Sequence, residues 1–508
     1  MLDIAIVNGQ VVDGLGGEPQ SADVGIRGGR IAALAPSLSA AARLTIDAAG
    51  RCLAPGLVDV HNHAHIEGEG GVLSAPGCQN LVAQGVTTIV CGNCGDSPLP
   101  IGEHLAQMEA VPRAVNYAVL VGHGAVRSHV MGARGSRPTS AEAEDMRRIV
   151  AEAMQEGALG LSTGLWYVPG AFAEASEIID LAMVVSAAGG VYASHVRDEA
   201  DQGLPAAEEA IEVGRRAGIS VEISHLKRWG QAHAGTSGEL LALVDAARAA
   251  GISVNGDAYP YEASSTGLAT LLPREAFESG KFQERMADPR QRQNARDFAR
   301  ARLDNIGGPE GVLITRCAAE PALVGQRLAA APGLLGHGVE DCIIELVSAG
   351  QVSAVFFAMD AGDVDRILSH PAVMVGSDGS AQAAARVVAD ASGERLCHPR
   401  NYGCFPAMLR RMVREKSLLS LGEAVRKMTS LPAAKFGFQG QGALVEDNWA
   451  NLVIFDPQSI ADTATYENPR QYPRGIDWVL VNGEVVLERG QFAPARPGRI
   501  LRHTPRLS

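Results

Sequence analysis

Between residues 55 and 432 the chain alternates short apolar runs with helical stretches, and this alternation constrains the fold more than any other feature. The runs lie at 87–90, 118–121, 159–161, 190–193, 220–223, 252–255, 312–314 and 372–375, and a further run at 52–58 precedes them. Repeated β–α units of this length point to a parallel sheet. Their count approaches eight or nine, which fits a (β/α)8 TIM-like barrel better than a short open sheet. One helix carries a capping signal at Ser140-Ala141-Glu142. The charged stretch 277–305 reads as a helical excursion near the barrel mouth.

The two ends have a different character. Val7-Asn8-Gly9-Gln10-Val11-Val12 reads as strand, Asn-Gly turn and strand, and 22–34 as a second hairpin. Val481-Asn482-Gly483-Glu484-Val485-Val486 repeats the first pattern near the far end. The expected organisation is α/β: a small β-sandwich from 1–54 plus 433–508, and a barrel over 55–432.

Composition narrows the function. A net charge of -13 argues against nucleic acid and anionic membranes as partners. The N-terminus lacks a signal-peptide pattern, and no apolar run is long enough to span a bilayer. Eight cysteines scattered over 508 residues do not form a secreted disulfide framework, so a cytoplasmic chain with reduced thiols is expected. Cys91-Gly92-Asn93-Cys94 has redox-motif spacing, but no clear helix follows it.

The chemistry sits where the apolar runs end. The run at 52–58 leads into Asp59-Val60-His61-Asn62-His63-Ala64-His65. Residues two apart on an extended strand share a side, so Asp59, His61 and His63 are expected to face one pocket, a donor set suited to a divalent metal such as zinc. Later runs end in Cys91-Gly92-Asn93-Cys94-Gly95-Asp96, Ser194-His195-Val196-Arg197-Asp198-Glu199, Ser224-His225-Leu226-Lys227 and Gly376-Ser377-Asp378-Gly379. In a barrel these ends converge on the catalytic face. Each residue alone has a structural explanation; Asp378-Gly379, for instance, is also a turn signal.

These motifs, with Gly157-Ala158-Leu159-Gly160-Leu161-Ser162-Thr163-Gly164-Leu165, His398-Pro399-Arg400-Asn401-Tyr402-Gly403 and Met428-Thr429-Ser430-Leu431-Pro432-Ala433, resemble the D-aminoacylases of the amidohydrolase superfamily over nearly the whole chain. The resemblance implies a zinc-dependent barrel with a small β-sandwich that hydrolyses N-acyl-D-amino acids, small molecules, to a carboxylic acid and a D-amino acid. It implies a tight zinc site at Cys94, His195 and His225, and a second, weaker metal position at His61 and His63. It makes Asp378 the general base and acid, and Lys227, Arg400, Tyr167 and Tyr261 the substrate-binding group. Many superfamily relatives use a carbamylated lysine on the fourth strand; here that strand leads into Ser162-Thr163-Gly164, and Cys94 is the expected substitute. The family pattern commonly has aspartate where this chain has His65, and Ile66-Glu67-Gly68-Glu69-Gly70-Gly71 is also distinctive. A structural hydrogen bond is the favoured role for His65. No arginine falls between Gly267 and Pro273, so a neutral or apolar D-side chain is expected.

Rival readings are an amidohydrolase for cyclic amides or dipeptides, a redox or metal-storage protein using Cys91 and Cys94, and an inactive binding protein on the same scaffold. The absent fourth-strand lysine opposes the first, and the intact ligand set opposes the last. Oligomeric state is left open.

Overall fold

The apolar runs of the middle segment form parallel strands in the computed structural model, which describes residues 1–66, 71–382 and 396–504. Glu67–Gly70 of the distinctive glycine-rich stretch thus lie outside the described residues. In order the barrel strands are Leu57–Asp59, Val86–Cys91, Asn116–Val119 continued by Val121–Gly122, Gly160–Gly164, Val191–His195, Ser220–Ile223, Val254–Ala258 and Val373–Val375. Each pairs in parallel with its neighbour. The ring closes where Asn62 bridges Gly379 and the Asp378 N–H donates to the His61 carbonyl at 2.8 Å.

Inward-facing Val58, Val90, Leu120, Val191 and Met374 fill the barrel, and Ala433, Phe436 and Phe438 from the helix Ser430–Phe436 and its exit join the same core. The Phe436 and Phe438 rings stack with centroids 6.0 Å apart. The expected boundary between 432 and 433 falls inside this helix, and that between 54 and 55 inside the strand Cys52–Pro55.

The terminal segments make one continuous nine-stranded sheet. Strand Leu2–Val11 lies between Gln20–Arg27 and Cys52–Pro55, and the latter passes the sheet on to Leu452–Phe455. Ile6 and Val24 from the N-terminal part share a core with Leu452 and Leu480 from the C-terminal part, so both ends of the chain are needed to bury it.

Three local expectations are corrected. The Asn8-Gly9 pair is not a turn: Leu2–Val11 is one strand, with a register shift between Ile6 and Gly9. Only Asn8 has positive φ, 58°, which makes a bulge, whereas Asn482 and Gly483 at 49° and 82° supply the two left-handed residues a tight hairpin needs. The run at 312–314 is not a barrel strand. Val312–Cys317 pairs antiparallel with Val352–Phe356, which also pairs with Ser264–Gly267. Lastly, the cap of the helix Ser140–Glu156 lies one residue earlier, on Thr139, with a complete capping box to Glu142.

The excursion is therefore larger than 277–305. It fills the connection from the seventh to the eighth barrel strand and has its own core, including Leu268, Leu271, Leu303, Ile314, Cys342 and Phe356. Its long helix, Pro289–Asp304, begins where the Asp288 side chain accepts from the backbone of Arg290 and Gln291 and Pro289 occupies the first turn. Ala295, Ala299 and Leu303, four apart, are its buried stripe. Among the described residues no helix is long and apolar enough to cross a membrane.

Buried amides tie the two parts together. Asn482 Nδ2 donates to Asn116 Oδ1 at 2.8 Å, the Arg499 N–H donates to the same oxygen at 3.0 Å, and Asn451 Oδ1 accepts from the Asn482 N–H at 2.8 Å. Removing a buried acceptor costs about 1–3 kcal/mol. Asn116→Ala is expected to lower the unfolding free energy by that amount, read from the shift in denaturation midpoint, and an unchanged midpoint would show that the network contributes nothing to stability.

Candidate active site

The second barrel strand, Val86–Cys91, delivers Cys94; the fifth, Val191–His195, ends on His195; the sixth, Ser220–Ile223, precedes His225; and the loop after Asp59 carries His61 and His63. Their donor atoms meet. Cys94 Sγ lies 3.3 Å from His61 Nε2, 3.6 Å from His195 Nδ1 and 3.6 Å from His225 Nε2. A tetrahedral ion with zinc's bond lengths separates a sulfur ligand from a nitrogen ligand by about 3.6 Å. The spacing and the soft-plus-imidazole chemistry therefore fit a metal. His61, His63 and Asp378 form an adjoining group whose ligand atoms are also mutually close.

The backbone is bent to present these atoms. Cys94, His225 and Asp378 have φ of 54°, 35° and 51°, left-handed values that cost side-chain-bearing residues of order 1–3 kcal/mol each. Ser162, where the fourth strand carries no lysine, braces the Cys94 loop: its hydroxyl donates to the Gly92 carbonyl at 2.5 Å and accepts from the Gly95 N–H at 3.1 Å. A Cβ on Gly164 would stand 1.9 Å from the Cys94 carbonyl oxygen.

A ring of carboxylates orients the imidazoles. Asp257 Oδ2 faces His61 Nδ1 at 3.3 Å, and its Oδ1 accepts from the His225 backbone N–H at 3.0 Å. Glu199 Oε1 lies 3.0 Å from His225 Nδ1 and 2.6 Å from Lys227 Nζ. Glu199 accepts from Lys227, whose Nζ also lies 2.8 Å from His225 Nδ1, and together they orient His225 with Nε2 toward the sulfur. Asp378 Oδ1 is 3.0 Å from His63 Nε2, and its Oδ2 is 2.9 Å from Arg400 Nη2.

Electrostatics follow from this packing. Burial opposes ionisation of Cys94, but the surrounding His61, His195 and His225 outweigh it and hold the thiol well below its usual range. Burial likewise opposes the Asp378 carboxylate, but Arg400 and His63 keep it well below the usual carboxylate value. Burial disfavours the His63 cation, yet Asp378 and Cys94 raise it to about 9. Opposite charges thus offset one another inside the site.

The structure sorts the expected residues. Cys94, His63, His195, His225, Lys227, Arg400, Tyr167 and Asp378 all line one cavity of about 1260 Å³, with His61 fully buried behind Cys94. Tyr167 packs at a tilt against the His195 ring, centroids 4.8 Å apart, and its hydroxyl meets Thr266 Oγ1 at 3.1 Å. Tyr261 is a correction: it is buried outside the cavity lining, against His398. Its N–H bonds the Tyr259 carbonyl at 2.9 Å, a tight turn that rotates it away. Tyr259 lines the cavity instead, beneath Arg400 with 4.8 Å between guanidinium carbon and ring.

Asp59 also departs from the reading in which it faces the histidines. Its carboxylate accepts from the Ser377 N–H at 2.8 Å, Ser377 Oγ at 2.5 Å and Asn62 Nδ2 at 2.8 Å, which locks the closing edge of the barrel. His65 is a hydrogen-bonder: its Nδ1 accepts from the Gly92 N–H at 3.3 Å, below the Cys94 loop. Cys91 is fully buried and its thiol is pushed up by burial, unlike Cys94. Asp257 and Glu199 were not assigned roles from the sequence. Ending the seventh strand at 255, two residues before Asp257, hid the first; a glutamate four residues after His195 was the available signal for the second.

A family model described as the amidohydrolase family matches residues 44–293 and 390–487. An N-acyl-D-glutamate deacylase of Alcaligenes xylosoxydans xylosoxydans is 38% identical over 99% of this chain and 96% of its own length. A D-aminoacylase of the same organism is 35% identical over 99% and 98%. The crystal structure of an N-acyl-D-glutamate deacylase from Bordetella bronchiseptica, complexed with zinc and a phosphonate mimic of the tetrahedral intermediate, superposes with a TM-score of 0.85 at 34% identity, covering 99% of each chain.

Because Asp257 holds both His61 and the backbone of His225, Asp257→Ala is expected to weaken metal binding about 10–100-fold. Titration against a competing chelator measures this, and undiminished affinity would remove Asp257 from the metal site.

Proposed function

The chain belongs to the amidohydrolase family, in its D-aminoacylase branch, and from that premise we propose its reaction: zinc-dependent hydrolysis of the amide bond of N-acyl-D-amino acids. The products are a carboxylic acid and a free D-amino acid. The observation that carries the reading is the buried thiolate set among imidazoles with Asp378 and Arg400 beside it, in a chain alike over its full length to N-acyl-D-amino-acid deacylases.

Cys94, His195 and His225 would hold the zinc, with His61 and His63 as a second, weaker position. His63 Nε2 is engaged by Asp378 and carries a proton up to about pH 9, which a second ion must displace. Zinc, when bound, supplies Lewis acidity to the amide carbonyl and lowers the pKa of water. Asp378, kept ionised by Arg400, accepts the attacking water's proton on Oδ1 and delivers it to the leaving nitrogen. Arg400, with the spare N–H groups of Lys227 and the Tyr167 hydroxyl, binds the substrate's α-carboxylate, over the Tyr259 ring.

The wall from Gly267 to Leu271 presents no charge to the cavity, so we assign a neutral or apolar D-side chain to the substrate. A cyclic-amide or dipeptide-like substrate is not favoured, since the full-length relatives above are named for linear N-acyl amino acids. We place the enzyme in the cytoplasm, where eight cysteines scattered over 508 residues are kept reduced.

Asp378→Asn is expected to cut kcat at least about 100-fold while zinc content measured by elemental analysis stays at the wild-type level. Retained turnover would remove Asp378 from the chemistry. A panel of N-acyl amino acids should show turnover of D but not L enantiomers, lost on chelation and restored by zinc. Faster turnover of N-acetyl-D-glutamate than of N-acetyl-D-methionine would overturn the neutral side-chain assignment.

A further inference from the structure

Five arginines lie on the helix Pro289–Asp304, and Arg302 differs from its acid-paired neighbours. Arg292 and Arg296 pair with Asp341, and Arg300 with Glu340. Arg302 points the other way, into the catalytic cavity. Its guanidinium carbon lies 4.5 Å from the centroid of the Trp166 ring and 4.4 Å from that of Trp229. Trp166 adjoins Tyr167 after the fourth barrel strand, and Trp229 lies two residues beyond Lys227 after the sixth. Two loops of the catalytic face thus clamp one cation.

Among the described residues Arg302 makes no ion pair, and its buried Nε has no hydrogen-bond partner. The acids on the neighbouring loop are already engaged. Glu199 holds Lys227 and His225, and Asp198 accepts from the backbone of Ala200 and Gln202. The indoles fix the plane of the guanidinium and shield it from water, while its N–H fork stays available at the cavity wall. Such a preorganised fork suits a carboxylate.

The cavity leaves room for one. At about 1260 Å³ it exceeds the roughly 300–1,000 Å³ of ordinary ligand pockets, far more than a short N-acyl amino acid fills. The α-carboxylate already has Arg400 and Lys227, and the wall assigned to the side chain is neutral. We propose that Arg302 binds a terminal carboxylate on the acyl group, so that the substrates are D-amino acids acylated by a dicarboxylic acid, of which N-succinyl is the short example. The proposal rests on the deacylase reading above and names the substrate class of that same site.

The test compares wild type, Arg302→Gln and Arg302→Lys on N-succinyl-D-leucine, N-acetyl-D-leucine and N-acetyl-D-glutamate. A charged hydrogen bond of about 1.5–3 kcal/mol corresponds to about tenfold or more in KM. Wild type should have a KM for the succinyl substrate lower than that for the acetyl one by this factor, and Arg302→Gln should bring the ratio of the two toward one. Arg302→Lys, which keeps the charge and loses the fork, should fall between; it also serves if the glutamine variant does not fold. Equal KM values in wild type, or a ratio that Arg302→Gln leaves unmoved, overturns the proposal. An advantage of N-acetyl-D-glutamate over N-acetyl-D-leucine that disappears in Arg302→Gln puts the second carboxylate on the side chain and overturns it too. If none of the three is hydrolysed, the deacylase reading fails separately. Tryptophan fluorescence of the zinc-loaded protein titrated with succinate then decides: a saturable change in wild type that Arg302→Gln abolishes supports the cation site, and no saturable change overturns it.

Discussion

The contact on which the site depends is that of the Cys94 sulfur with the nitrogens of His61, His195 and His225. A thiolate in a buried place is expensive unless positive charge surrounds it. Here His61 and His225, both raised, supply that charge when protonated and hold Cys94 down, while burial keeps His195 toward its neutral form. A divalent ion replaces those protons with a better-matched cation at nearly the same donor spacing. The surrounding groups are arranged to keep this geometry: Asp257 behind His61, Glu199 behind His225, Ser162 under the Cys94 loop, and Asp59 across the barrel seam.

That arrangement requires a stiff support, because Cys94, His225 and Asp378 are held with left-handed backbones. The barrel meets this with strands buried on both faces and an interior closed by Phe436 and Phe438. The terminal β domain bonds to its flank through Asn116, Asn451 and Asn482. The excursion between the seventh and eighth strands has its own hydrophobic core and contributes a wall rather than a metal ligand. Chemistry is thus set by strand ends, and the shape of the binding cavity by an insertion whose core is joined by Ala200 and Trp229 of the barrel loops.

Period-two and β–α patterning carry direct information about burial, so the barrel, the terminal β domain and the strand ends bearing Cys94, His195, His225 and Asp378 were legible from residue order. The errors fell where the same local signal serves two structures. Asn-Gly made a bulge at Asn8 and a hairpin at Asn482, because pairing partners, not the dipeptide, decide how many residues turn left-handed. The apolar run at 312–314 fits a barrel strand as well as an antiparallel one, and only its partner Val352–Phe356 distinguishes them. Tyr261 and Tyr259 are chemically alike and two residues apart, yet a tight turn sends one into the cavity and the other into the core.

By itself the sequence determined which donors exist and at which strand ends they stand, since hydrophobic periodicity fixes element type and the motif residues fix the chemistry. Tertiary structure alone decided which groups act on which. Asp59 turned from the histidines to the seam, Asp257 and Glu199 became the orienting carboxylates, and Arg302 left the charged face of its helix to lie between two indoles. Those outcomes depend on distances between residues far apart in the chain, and no local pattern encodes such distances.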